Sequence, residues 1–311
     1  MSSEPESTGE ERPPEPPAPA RRAGVLDHAA SIRFGDVLLL QGSPALGAAF
    51  ALGGFRGEAA GRGALAALAS LLLVAHIFAL NDWANLDADA SDPSRAAGVF
   101  AARGVSARAF GALCASLLGA SLLLFALLPP ATLFLALCGA MLGAVYSHPM
   151  FDAKSRPVLS SLTHLAGGVV HFLLGYSVFA AIDARAVLIA LFFGLTFAAG
   201  HLNQEVRDHA GDLANGIRTN AVVFGKRAAF FTGLALFTLA YADLALLAWR
   251  GVVPSALAPL PAILYPAHVL FSVAALRDGL GSESVRRLQR RYRLLYAVVG
   301  AAMVAAIARG A

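Results

Sequence analysis

Charge is what this 311-residue sequence lacks most. Only 14% of its residues are charged, against about 25% in soluble domains. Hydrophobic residues reach 57% and the mean hydropathy is +0.64. That balance excludes an ordinary soluble enzyme. It also argues against a nucleic-acid partner despite a pI near 9.4, because the basic residues are few and dispersed. Cysteine is nearly absent too. Cys114 and Cys138 both lie inside apolar runs, which excludes a disulfide framework and a zinc-type spacing and reads as small core residues. Lysine is scarce as well: Lys154 and Lys226 stand alone among 24 basic residues. The bias to Arg and Ala fits a GC-rich bacterial genome.

What is present is apolar length. Residues 1–22, MSSEPESTGEERPPEPPAPARR, hold six of the 16 prolines and five of the 20 acids, and bury too little to offset the entropy of ordering, so a disordered tail is expected there. The tail has no basic start followed by an apolar core, so it is not a signal peptide. A membrane span needs roughly 20 apolar residues. Nine candidates follow within 23–311, at about 35–54, 63–82, 105–127, 131–147, 158–181, 186–203, 228–248, 254–276 and 290–308. Of the 24 basic residues, 19 fall in the tail or in the loops after even-numbered spans. By the positive-inside rule this puts the N-terminus and those loops in the cytoplasm. The expectation is an all-α polytopic protein of nine transmembrane helices, in a bacterial inner membrane.

Acids outside the tail gather in two segments. One is Asn81, Asp82, Asn85, Asp87 and Asp89, at the end of span two. The other is Glu205, Asp208 and Asp212, at the end of span six. On continuous helices Asp82, Asn85 and Asp89 share a face, as do Glu205, Asp208 and Asp212, since both sets stand at i, i+3 and i+7. Carboxylates at a bilayer are costly and mark functional sites. Two such faces repel unless a cation neutralises them. Mg²⁺ takes one or two carboxylates and completes its shell with water and phosphate oxygens, so the pattern points to a phosphorylated ligand bridged by Mg²⁺.

These motifs resemble those of the UbiA-type intramembrane prenyltransferases, whose nine helices surround a central cavity. Asn81, Asp82 and Asp89 match the family's N-D-x-x-D-x-x-x-D, and Asp208 and Asp212 match its D-x-x-x-D. The 216–219 stretch, Phe224-Gly225, and the loop from Tyr146 to Pro157 also resemble the family. Asn85 departs from it, standing where the middle Asp is usual, and the basic stretch after the first motif is thin, with Arg95 alone. Asp87 falls off the shared face.

The resemblance implies Mg²⁺-dependent transfer of a prenyl group from a prenyl diphosphate to a lipophilic or aromatic acceptor in the lipid bilayer. It places Asp82, Asp89, Asp208 and Asp212 on Mg²⁺ and gives catalytic roles to Lys154, Tyr146 and Arg218. It assigns substrate contacts to Asn81, Asn85, Arg95, Arg156 and Glu205. His76, His164 and His171 read as packing or helix–helix hydrogen bonds; His201 and His209 flank the second motif. Two other readings stand beside this one: phosphoribosyl transfer to a polyprenyl phosphate on the same fold, and a non-catalytic membrane protein that keeps it. A CDP-alcohol phosphotransferase would need D-x-x-D-G-x-x-A-R, which no segment supplies. No motif specifies the acceptor or the oligomeric state.

Overall fold

The computed structural model describes residues 23–54, 57–91 and 96–309; the tail expected at 1–22, and Arg95, lie outside them. Among the described residues the regular structure is entirely helical. In chain order the α-helices are α1 (Val25–Ala30), α2 (Phe34–Leu40), α3 (Gly42–Leu52), α4 (Ala60–Ala84), α5 (Leu86–Ser91), α6 (Ala107–Phe125) and α7 (Pro130–Ser147). They continue with α8 (Leu159–Tyr176), α9 (Ala184–Ala214), α10 (Asn220–Val223), α11 (Lys226–Trp249), α12 (Pro259–Arg277) and α13 (Ser282–Ala308). All nine expected spans fall on helices, the first on the α2–α3 pair.

Eight of the nine are long and apolar enough to cross a membrane. The exception, α8, carries Ser160, Ser161, Thr163, His164 and His171, and it is enclosed by other helices, packing on α3, α7 and α9. Enclosure explains its composition, since protein rather than lipid surrounds it. Small residues permit that enclosure. A Cβ on Gly168 would lie 2.7 Å from the Phe193 carbonyl of α9, and one on Gly194 2.7 Å from Val169 of α8. Gly47 and Gly175 leave no room for a Cβ where α3 crosses α8.

The large apolar side chains that remain exposed, among them Leu123, Leu127, Leu270 and Trp249, ring the outside of the helices. Polar residues lie within: Ser121 donates to the Ala69 carbonyl and His76 Nδ1 to the Cys114 carbonyl. A soluble protein would show the reverse arrangement.

The loops after even-numbered spans are bonded to one another, which places them at one end. Lys154 donates to Asn85, Val158 N–H to Asn220, and Arg103 to the Ala30 carbonyl near the N-terminus. At the opposite end Arg185 donates to the Val252 carbonyl. The alternation read from charge is thus the alternation of the chain.

Candidate active site

Both acidic motifs sit at this bonded end, and helix geometry presents them differently. α9 runs unbroken through Ala214, where Asn215 and a left-handed Gly216 (φ 68°) end it; glycine is favoured at such a terminus because it has no Cβ to clash. Glu205, Asp208 and Asp212 therefore keep one face. α4 instead ends at Ala84, and Asn85 leaves helical geometry (φ −104°, ψ 14°) before α5 begins. The Asp89 N–H still bonds the Asn85 carbonyl at 2.9 Å, so the register survives the break. Asp87 is exposed, off the shared face as expected.

One polar hollow gathers Tyr146, Lys154, His201, Gln204, Glu205, Asp208, Asp212 and Thr219. The first motif joins it through Asn85. Lys154 Nζ donates to Asn85 Oδ1 at 2.9 Å, and Asn85 Nδ2 donates to the Asn81 carbonyl at 2.6 Å and to Asn81 Oδ1 at 3.1 Å. Ser147 Oγ reaches the same Asn81 Oδ1 at 3.3 Å. The departure from the family pattern is thus the acceptor for the loop's one lysine.

The motif acids already hold cations of the protein. Arg33, at the start of α2, contacts Asp82 at 3.3 Å and lies over the Phe78 ring. Arg207 grips Asp208 with two hydrogen bonds of 2.7 and 2.8 Å and reaches Gln289 of α13. Asp212 is buried, Asp89 half-buried. Arg156 and Arg218 are exposed on the neighbouring loops.

Glu205 is 4% exposed and well supplied with donors. Ser160 Oγ, Asn220 Nδ2 and His201 Nε2 lie 3.1, 3.0 and 2.9 Å from Oε1, and the Ala221 N–H lies 3.4 Å from Oε2. Asn220 Oδ1 in turn accepts from Val158 N–H at 2.7 Å. Val158 has φ 67°, a strained value for a β-branched residue, held where α8, α9 and α10 meet.

Among the described residues no three His, Cys, Asp or Glu side chains are arranged as a ready metal cage. The oxygen donors of the hollow are the carboxylates of Glu205, Asp208 and Asp212, the amide of Gln204 and the hydroxyls of Tyr146 and Thr219, which is the chemistry of a hard cation, and Mg²⁺ characteristically leaves several sites to water and phosphate. The residues present fit that ion. Sequence reasoning missed Arg33, which stands 49 residues before its partner, along with Gln204, Thr219 and Asn220. The last three adjoin residues already singled out, so proximity to the motif was their available signal.

The model of the UbiA prenyltransferase family matches residues 42–279. The chain belongs to the UbiA prenyltransferase family. It is an integral membrane enzyme, a prenyltransferase. A comparison with curated proteins finds no match. Among solved structures, a UbiA homologue from Archaeoglobus fulgidus bound to GPP and Mg²⁺ is similar, with a TM-score of 0.70 at 19% identity over 90% of this chain and 99% of that one. An apo UbiA homologue from Aeropyrum pernix K1 gives 0.70 at 21% identity, covering 88% and 98%. A digeranylgeranylglyceryl phosphate synthase gives 0.70 at 15%, covering 92% and 99%. At these identities the likeness carries the UbiA fold and leaves the substrates to be argued from the site.

Proposed function

We propose that this protein transfers a prenyl group from a prenyl diphosphate to a lipophilic or aromatic acceptor within the membrane, with Mg²⁺. The carrying observation is the hollow in which Lys154 and Tyr146 face Asp208 and Asp212, joined through Asn85 to the first motif. In this reading the allylic C–O bond breaks, its electron pair leaves on the diphosphate, and the acceptor bonds to the freed carbon. Asp82, Asp89, Asp208 and Asp212 would hold Mg²⁺, with Asn81 and Asn85 as auxiliary oxygen ligands. When bound, the ion supplies neutralisation of the leaving group's growing charge.

Lys154 binds the diphosphate as a compact cation, with Arg95, Arg156 and Arg218 added from the surrounding loops. Tyr146 closes the hollow against water, whose attack would give the free alcohol. Glu205 acts by fixing the ends of α8, α9 and α10 behind these groups. The active-site end faces the cytoplasm, in a bacterial inner membrane by composition, and residues 1–22 form a tail outside the nine-helix domain at 23–311.

The test is thermal stabilisation in detergent. Geranyl diphosphate at 100 times its dissociation constant should add about 2.7 kcal/mol, with Mg²⁺ and not without it, and Asp208→Asn should lose the effect. Stabilisation by phosphoribosyl diphosphate alone would favour the sugar-transfer alternative. No response to either diphosphate in folded protein would overturn the catalytic assignment.

A further inference from the structure

Deeper in the fold than Asp208 and Asp212 lies a pair of histidines that the prenyl-transfer chemistry above leaves unused. His201 precedes Asp208 by seven residues on the unbroken α9, roughly 10 Å further along the helix at 1.5 Å per residue. Its ring stacks on that of His164 from α8, with centroids 3.6 Å apart and planes 7° from parallel. Tyr146 from α7 meets both edge-on, at 4.7 Å from His164 and 5.8 Å from His201, and Phe197 closes the remaining side of His164 at 5.3 Å. His201 and Tyr146 line the hollow, so the stack is continuous with the site.

A hydrogen bond fixes the tautomer of His164. His164 Nδ1 lies 2.8 Å from the Ser160 carbonyl. A carbonyl only accepts, so Nδ1 carries the proton and Nε2 keeps a lone pair. His164 is only half-buried. His201 Nε2 lies 2.9 Å from Glu205 Oε1, a close contact without hydrogen-bond geometry. Ser160 ties α8 to α9 here, its carbonyl accepting from His164 and its hydroxyl donating to Glu205. The titratable groups facing His164 are Tyr146 of α7 and His201 and Glu205 of α9, with Asp208, Asp212 and Lys154 across the hollow. Glu205 is bonded by neutral donors from Ser160, Asn220 and Ala221.

We propose that His164 Nε2 takes the proton that the acceptor loses on prenylation, with Ser160 and His201 as positioning residues. This rests on the prenyl-transfer reading and narrows its acceptor to a molecule that must shed a proton, through a hydroxyl or a phenolic ring. An acceptor phosphate oxygen, already ionised, needs no such base. The C1–O bond of the donor breaks with its electron pair going to diphosphate. C1 bonds to the acceptor oxygen or ring carbon, whose proton passes to His164 Nε2 and then to water.

The experiment uses the full chain in detergent with geranyl diphosphate, Mg²⁺ and three protic probes: 4-hexylphenol, 1-naphthol and 1-O-hexadecylglycerol. Farnesyl phosphate with phosphoribosyl diphosphate is the proton-free comparison. The wild type is expected to prenylate a protic probe with a kcat that falls on the acid side. His164→Gln should lower that kcat about 100-fold, within the usual range for a general base, remove the acid limb and keep Mg²⁺-dependent donor binding. Retained donor binding shows that the variant folds, and His164→Asn replaces it if it does not. A variant with unchanged kcat and pH profile overturns the proposal, as does a wild type that binds geranyl diphosphate yet uses farnesyl phosphate alone or no protic probe. Failure of the wild type to bind geranyl diphosphate would bring down the prenyl-transfer reading and this inference with it.

Discussion

At the residue scale the informative position is Asn85, where the sequence departs from its family. Its amide does what a carboxylate would do only in part. The oxygen receives Lys154, and the nitrogen donates twice to Asn81. Asn85→Asp gives Lys154 a charged partner and adds an anionic ligand to the motif, but it removes both donations and sets a carboxylate oxygen against a carbonyl. The expected result is a ligand-free protein destabilised by about 1–3 kcal/mol that needs less Mg²⁺ for half-maximal donor binding. Thermal unfolding across a Mg²⁺ titration measures both, and an unchanged midpoint at every Mg²⁺ concentration would refute the account. Arg33 makes a second case. Its contact with Asp82 is partly exposed, with side chains 47% and 22% accessible, and such pairs contribute at most about 1 kcal/mol. If Mg²⁺ and Arg33 compete for Asp82, Arg33→Gln should lower the half-maximal Mg²⁺ concentration by no more than about fivefold in the same titration. A rise would mean that Arg33 instead supports the bound donor. Asp82 and Asn85 stood out in the sequence because their spacing is local. Arg33 did not, because nothing local links residues 49 apart.

At the element scale α8 shows where pattern reading succeeds and where it stops. Its place at 158–181 followed from an apolar stretch between loops, although its polar residues leave it short of what a lipid-facing span requires. Nothing local shows that those polar residues pair with α9 and α10, since the partners lie 45 to 60 residues away. The small residues beside them are packing positions, and the geometry gives them a magnitude. At Gly168 a Cβ would lie 2.7 Å from the Phe193 carbonyl and 2.8 Å from the Gly194 Cα, which are backbone atoms that cannot rotate aside. Gly168→Leu should therefore push α8 off α9 at a cost of at least about 1–3 kcal/mol, read as a lowered unfolding midpoint. Gly98, whose Cβ would meet nothing within 4 Å, is the control. Equal midpoints for the two variants would remove close approach as the reason for the α8–α9 fit. α4 makes the complementary point. The shared face of Asp82, Asn85 and Asp89 is read on the condition of a continuous helix, and the interruption at Asn85, whose side chain bonds Asn81 and Lys154, is a local feature that period does not encode.

At the scale of the whole molecule the decisive pattern is an asymmetry of charge, and it was legible before any coordinate. The even-numbered loops hold most of the arginines, and the structure bonds those loops into one end through Asn85–Lys154 and Val158–Asn220. Charge and hydrogen bonding thus identify the same end independently, and both acidic motifs stand there. What charge adds is direction, because basic loops are retained in the cytoplasm. The α12–α13 connection at Ser282 should then be cytoplasmic and the α11–α12 connection at Ser255 should lie across the membrane. Both serines are exposed, and the protein's own Cys114 and Cys138 lie within α6 and α7. In intact cells a membrane-impermeant maleimide should label Ser255→Cys and spare Ser282→Cys, and in inverted vesicles the preference should reverse. Labelling of Ser282→Cys in intact cells would place the hollow on the outer face, where the proposed donor, made in the cytoplasm, could not reach it without first crossing the bilayer.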